Sequence, residues 1–175
     1  MKNTHLNFLA LLFVCMLMST VTWAQDSKAN RPSPPATASG KIGDATVTID
    51  YSSPSVKGRK VWEELAPAGK VWRAGANEAT TFEVDKDVTV EGKELPAGKY
   101  SVYAIPGKDQ WTVIFNKVAE QWGTQYDEKQ DALRVTAKPE KALSFNERLA
   151  YEVTDNGFVL RWENLELPVS VKPKS

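Results

Sequence analysis

Histidine and cysteine are almost absent from this 175-residue chain, which contains only His5 and Cys15. Both lie in the first 24 residues, which we expect to be removed. Without histidine, the remaining domain cannot use Ser-His-Asp or Cys-His catalysis, and a zinc site built on His and Cys is excluded as well. Without cysteine, no disulfide can stabilise the fold. Any acid–base chemistry is left to Asp, Glu, Tyr or Lys, and any metal would need oxygen ligands.

Neither sign of charge predominates. The chain has 22 basic and 22 acidic residues, and loss of Lys2 with the first 24 residues leaves a net charge of −1. Nucleic-acid binding requires a concentrated basic surface, so nucleic acid is not expected as a partner. A long apolar run is also lacking, since the run from Phe8 to Met18 is shorter than the roughly 20 residues that span a bilayer.

Residues 1–24 have the pattern of a cleavable signal peptide. Lys2 supplies the positive charge, Phe8 to Met18 forms the apolar region, and Thr22 and Ala24 stand at the small-residue positions before a cleavage site at Gln25. The chain is therefore predicted to be exported, to the periplasm or the medium, with no membrane span after cleavage.

Cys15 raises lipidation as an alternative to simple secretion. A lipidated cysteine normally follows a small residue, whereas Val14 precedes Cys15 and the apolar run continues beyond it. The pattern favours simple secretion.

The remaining chain is predicted to hold a flexible lead, residues 25–41, rich in Pro, Ser and Ala, and one domain, residues 42–175. From Ile42 onward the apolar residues recur with period two, as Val47 and Ile49 illustrate. Asp155-Asn156-Gly157 is typical of a tight hairpin turn. Further strands are predicted at 79–84, 88–90, 99–105, 110–116, 132–138, 147–153, 157–163 and 166–172, with short helical turns at 61–65 and within 120–131.

Roughly eight or nine short strands separated by Gly/Pro turns predict an all-β fold. The choice lies between a barrel and a single β-sandwich, Ig-like or jelly-roll-like, and the sandwich is favoured.

The segment 51–78 interrupts this regular pattern. Long connections in compact domains are uncommon and often functional. Within it, VWRAGANEAT places a tryptophan beside an arginine and then an amide beside a carboxylate, which suits an oriented pocket for a polar ligand. The predicted ligand-binding residues are Trp72, Arg73, Asn77 and Glu78, with Arg59 and Trp62 next and Trp122 at the rim.

A structural interpretation of the same residues stays open. Trp62 and Trp72 would then cap one end of the sandwich as core residues, and Arg73 would form an ion pair with Glu78. Trp111 alternates with apolar neighbours in a predicted strand and is assigned to the core, as is Trp162.

The stretch DYSSPSVKGRKVWEELAPAGKVWRAGANEATTF (50–82) is distinctive, and so are LPAGKYSVYAIPGKDQWTVIFNK (95–117), QWG (121–123) and ERLAYEVTDN (147–156). With these blocks the chain resembles a bacterial family named domain of unknown function 2911. The resemblance implies a small exported protein of diderm bacteria with a β-sandwich fold, and it implies no activity, ligand or catalytic residue.

Three functions are compatible with these features. The leading hypothesis is a non-catalytic binding module for a small polar ligand such as a saccharide or peptide. The second is a carboxylate-dependent glycan hydrolase, for which Asp50 and Glu78 would be a candidate pair. The third is an envelope domain that binds another protein.

No nucleophile motif or phosphate-binding glycine loop is present, so no catalytic residue, cofactor or metal ligand is assigned. A weak calcium site with ligands from separate loops stays open.

Overall fold

The computed structural model describes residues 28–174. The predicted signal peptide, its cleavage site and residues 25–27 of the lead lie outside the described residues. Within them, ten strands form two antiparallel sheets, and this confirms the predicted all-β sandwich. No helix in this part of the chain is long and apolar enough to cross a membrane.

The six-stranded sheet has the order β1-β2-β3-β6-β7-β8, and the four-stranded sheet has the order β5-β4-β10-β9. The strands are β1 (Pro35–Ile42), β2 (Ala45–Ser52), β3 (Thr80–Val84), β4 (Val88–Val90), β5 (Lys93–Leu95), β6 (Gly98–Ile105), β7 (Trp111–Asn116), β8 (Asp131–Ala137), β9 (Glu140–Thr154) and β10 (Gly157–Pro173).

The core lies between the two sheets and follows from the period-two patterning. In β2, Val47 and Ile49 are fully buried while Thr46 is exposed. Phe82 of β3 packs edge-to-face on Phe115 of β7, with ring centroids 5.2 Å apart. Such contacts must stabilise the domain by packing alone, because no cysteine follows Cys15.

The prediction of a flexible lead is wrong for residues 35–41, because they belong to strand β1 of the six-stranded sheet. This stretch escaped prediction because its inward positions are the small residues Ala36, Ala38 and Gly40. A Cβ atom at Gly40 would lie 2.9 Å from Val153 Cγ1, so glycine permits the close approach of β1 to β9. The strand pairs only with β2, and an edge position tolerates its first residue, Pro35.

A second correction concerns residues 157–172, which form one strand, β10, where two had been predicted. Register shifts against β9 occur on both sides of Glu163, which has φ 55°, so the strand is irregular where the sequence predicts a break. The preceding turn at Asp155-Asn156 is confirmed, since β9 ends at Thr154 and β10 begins at Gly157.

The long connection between β2 and β3 contains one wide helical turn of π type, Val61–Leu65, at the predicted place. Farther along, Trp72 pairs with Ala104 of β6. The chain then leaves the sheet and returns at Thr80, which pairs with Val102 of the same strand. The excursion between these two pairings shapes the site described next.

Candidate functional site

A cavity of about 650 Å³ opens beside this excursion, and it is the larger of the two cavities that concern the predicted site. Four predicted ligand-binding residues line it: Arg59, Trp72, Arg73 and Asn77. The other three do not. Glu78 faces a neighbouring cavity, Trp62 contributes to a third depression, and Trp122 is a 46% exposed residue that precedes the lining residue Gly123.

Backbone hydrogen bonds fix the excursion that forms one wall. Trp72 and Ala104 exchange two N–H···O bonds of 2.8 Å, which anchors the start of the excursion to β6. Ala74 then adopts φ 48°, and its carbonyl accepts from the Thr80 hydroxyl (3.0 Å) and the Tyr151 hydroxyl (2.7 Å). Because both donors are buried, these bonds hold the bend against the core.

The opposite wall comes from the loop that contains residues 121–126. Gly123 N–H donates to the Asn77 carbonyl (3.0 Å), and Ala79 N–H donates to the Gln121 carbonyl (3.0 Å). The approach is so close that a Cβ atom at Gly123 would lie 2.4 Å from Arg73 Cδ. Glycine at this position therefore leaves room for the Arg73 side chain.

Four tryptophans lie beneath the cavity. Trp72 is 6% exposed and stacks on Trp162, with ring centroids 5.7 Å apart and planes 14° from parallel. Trp62 and Trp111 pack edge-on against Trp72. Trp111 and Trp162 are core residues, as predicted, and Trp72 is buried in the same core, as the structural interpretation expected; Trp72 and Trp162 also line the cavity. The cluster supplies a rigid aromatic floor.

The two arginines of the cavity have no acidic partner. Arg59 Nε donates to the Val56 carbonyl (3.1 Å), and its Nη2 donates to the Ser55 carbonyl. Arg73 makes no side-chain hydrogen bond and no ion pair with residues 28–174. No Asp or Glu occurs among the residues that line the cavity. Within the described part of the chain, neither arginine therefore has an ion-pair partner, although Glu63 and Glu163 line a separate depression together with Arg59.

Two tyrosines that were not among the predicted ligand-binding residues also line the cavity. Tyr103 is fully buried, accepts from the Gln121 amide (3.0 Å), and has a raised pKa because of burial. Tyr126 donates to Asp131 (2.7 Å) and accepts from Arg134 (2.7 Å), and burial raises its pKa to about 12. Both phenols are therefore neutral at physiological pH.

Glu78 and Asn77 hold the segment that precedes β1. Arg31 donates to both carboxylate oxygens of Glu78 at 2.9 Å, and this bonding lowers the pKa of Glu78. Asn77 Nδ2 donates to the Ser33 carbonyl (3.0 Å) and to Ser52 Oγ (3.2 Å). The ion pair between Arg73 and Glu78 that the structural interpretation required is not formed.

The neighbouring cavity, of about 430 Å³, is lined by carboxylates and lysines together. Asp50 and Glu78 both line it, as do Lys28, Lys99 and Glu120. The described residues contain no group of three or more His, Cys, Asp or Glu side chains arranged to hold a metal ion. Asp50 accepts from the Thr37 hydroxyl at 2.6 Å.

Comparison with known proteins identifies the family. No curated protein and no solved structure matches the chain. A family model described as protein of unknown function (DUF2911) matches residues 33–171, which include all ten strands except the last two residues of β10. The chain therefore belongs to the family of proteins of unknown function DUF2911.

Proposed function

We propose that the domain is a non-catalytic binding module for a small polar ligand, such as a saccharide or peptide, which occupies the 650 Å³ cavity. One observation carries the proposal: the irregular segment and the 121–126 loop surround a single cavity with an aromatic floor and unpaired guanidinium groups. Sites for small molecules combine these features, an apolar surface with a few oriented polar groups.

The dimensions of the cavity support this function. Ligand sites commonly enclose about 300–1,000 Å³. Leu65 and the 42% exposed Val71 offer apolar surface for a sugar or peptide face, and Arg59 and Arg73 offer hydrogen-bond donors. These groups lie on a frame that packs against the core, so little conformational entropy would be lost on binding.

A blocking substitution at the exposed residue Thr124 tests this proposal. We expect Thr124→Trp to fill the opening and abolish saturation-transfer NMR signals from bound saccharide or dipeptide probes. Thr136→Trp on β8 is the matched control, since Thr136 is exposed and lies outside the cavity lining. Equal binding by both variants would place the ligand elsewhere, and no binding by the unmodified protein would sink the proposal.

A carboxylate-dependent glycan hydrolase is the second candidate, and one observation favours it. Asp50 and Glu78 line the same 430 Å³ cavity. Against a general-acid role for Glu78, its pKa is lowered by Arg31, whereas an acid catalyst needs a raised pKa. Glu78→Gln should abolish product formation from a glycan panel while the fold persists. A panel that yields no product with the unmodified protein would eliminate the hydrolase.

An envelope interaction domain is the third candidate. Leu143 and Phe145 of β9 are 102% and 55% exposed, which is unusual for large apolar side chains in a soluble domain. Pull-down from envelope extract should recover a partner that is lost with a Leu143→Ser, Phe145→Ser double variant. If the unmodified protein and the double variant recover the same proteins, the surface around Leu143 and Phe145 is not the contact.

Export is part of the proposal, and the signal-like pattern of residues 1–24 supports it. The intact mass of the protein from the periplasm or the medium should correspond to a chain that begins at Gln25. An uncleaved chain in the cytoplasm would contradict export.

A further inference from the structure

The charge of the 650 Å³ cavity wall has one sign. The lining includes Arg59 and Arg73 but no Asp, Glu or Lys. Three of the six arginines of the chain form ion pairs within residues 28–174, whereas Arg59, Arg73 and Arg148 form none there. Two of these three therefore lie in one cavity, where Arg59 is exposed and Arg73 is half-buried.

The third unpaired arginine is fixed close to the same wall. Arg148 Nη1 donates to the Ser53 carbonyl at 3.1 Å, and Arg59 donates to the Ser55 carbonyl. Pro54, between these two acceptors, lines the cavity. Neutral carbonyls orient both guanidinium groups without forming an ion pair with them.

Arg73 is shaped for an external acceptor. Its methylene stem packs on Gly123, and its guanidinium group has no hydrogen-bond acceptor among the described residues. Beside it, the fully buried Tyr103 hydroxyl accepts from the Gln121 amide. A planar guanidinium fork matches the paired oxygens of a carboxylate, phosphate or sulfate group.

We propose that the ligand carries such an oxyanion, bound by Arg59 and Arg73, with its apolar part against Leu65 and Val71. The inference rests on the proposed function and specifies its ligand class. It excludes neutral sugars as the preferred ligands and favours acidic saccharides or peptides with a free carboxylate. Because a charged hydrogen bond is being made, loss of either arginine should weaken binding about 10- to 100-fold.

Matched probe pairs test the charge directly by titration calorimetry on the protein as purified. The first pair is D-glucuronate and D-glucose. The second pair is D-glucose 6-phosphate and D-glucose, and the third is glycyl-tryptophan and its C-terminal amide. At least one acidic probe should bind about tenfold or more tightly than its neutral partner. The three arms distinguish a carboxylated sugar, a phosphorylated sugar and a peptide carboxylate.

Arg59→Met and Arg73→Met remove the positive charge but keep an unbranched apolar stem. Both substitutions should weaken binding of the acidic probe. Arg161→Met is the control, because Arg161 is paired with Glu166 and lies outside the cavity lining. Affinity should also fall as salt rises from 50 to 500 mM.

Equal affinities within every probe pair, or unchanged binding by both cavity variants, would overturn the inference. If neutral probes bind and Thr124→Trp blocks them, the proposed function stands and only the oxyanion is wrong. If no probe of either kind binds, both the inference and the proposed function fail.

Discussion

Replacement of Arg73 by methionine should leave the free energy of unfolding within about 0.5 kcal/mol of the unmodified protein. The structure gives the reason. Arg73 makes no hydrogen bond or ion pair with residues 28–174, so only a guanidinium group without a partner is removed. The methionine side chain keeps the packing against Gly123. A half-buried charge that is retained at no benefit to stability is typical of a residue kept for binding.

Arg134→Met is the matched control for this prediction. Arg134 Nε donates to Asp131 Oδ2 and its Nη2 donates to Tyr126 Oη, both at 2.7 Å. Asp131 is only 10% exposed, so loss of Arg134 leaves a shielded carboxylate with fewer partners. Hydrogen bonds to charged groups contribute about 1.5–3 kcal/mol, and screening at this partly exposed arginine reduces the total to about 2 kcal/mol.

Urea unfolding followed by tryptophan fluorescence measures both variants. The clustered Trp62, Trp72 and Trp162 report directly on the floor of the cavity. Comparable slopes against urea are needed before the midpoints are compared. The reasoning is refuted if Arg73→Met destabilises the protein as much as Arg134→Met, because Arg73 would then have a structural partner.

Gly123→Ala should lower the free energy of unfolding by about 1–3 kcal/mol and weaken ligand binding, because the new Cβ would lie 2.4 Å from Arg73 Cδ and 2.8 Å from the Asn77 carbonyl oxygen. Chemical denaturation measures the first effect and titration calorimetry the second. Glu78→Gln should cost at most about 1 kcal/mol at pH 7. Arg31 lowers the pKa of Glu78 below its ordinary 4.5, so the difference in free energy of unfolding between the unmodified protein and Glu78→Gln is fully present above pH 4.5. This difference should disappear as the pH falls through the lowered pKa. A difference that grows in acid would contradict the prediction. Asn77→Ala should be less stable than Asn77→Gly by about 1 kcal/mol, since φ at Asn77 is 59°, and equal midpoints would show that the backbone there relaxes.

The strand pattern was predictable wherever apolar and polar residues alternate strictly. Val47 and Ile49 in β2 show this, and the Asn-Gly turn before β10 was specific enough to locate a hairpin. Prediction failed at β1, because Ala38 and Gly40 fill inward positions that usually hold larger residues. Burial there depends on the close approach of β9, which no local pattern reveals.

The site was only partly predictable. An irregular segment rich in aromatic and cationic side chains indicated Arg59, Trp72 and Arg73 before their positions were known, and all three line one cavity. Tyr103 and Tyr126 were missed because they come from β6 and a distant loop, and only tertiary structure brings them together. Residues 100–104 of β6 are all buried, so no alternation of polar and apolar residues distinguishes Tyr103 in the sequence.

The different positions of Asn77 and Glu78 have a local cause. They were predicted to face one ligand because they are adjacent in sequence, but Asn77 adopts a left-handed conformation that redirects the chain. Its amide then binds the Ser33 carbonyl, while Glu78 binds Arg31. Ser33 itself lines the cavity. Part of the segment predicted to be a flexible lead thus completes the cavity wall, and Asn77 and Glu78 hold that segment in place.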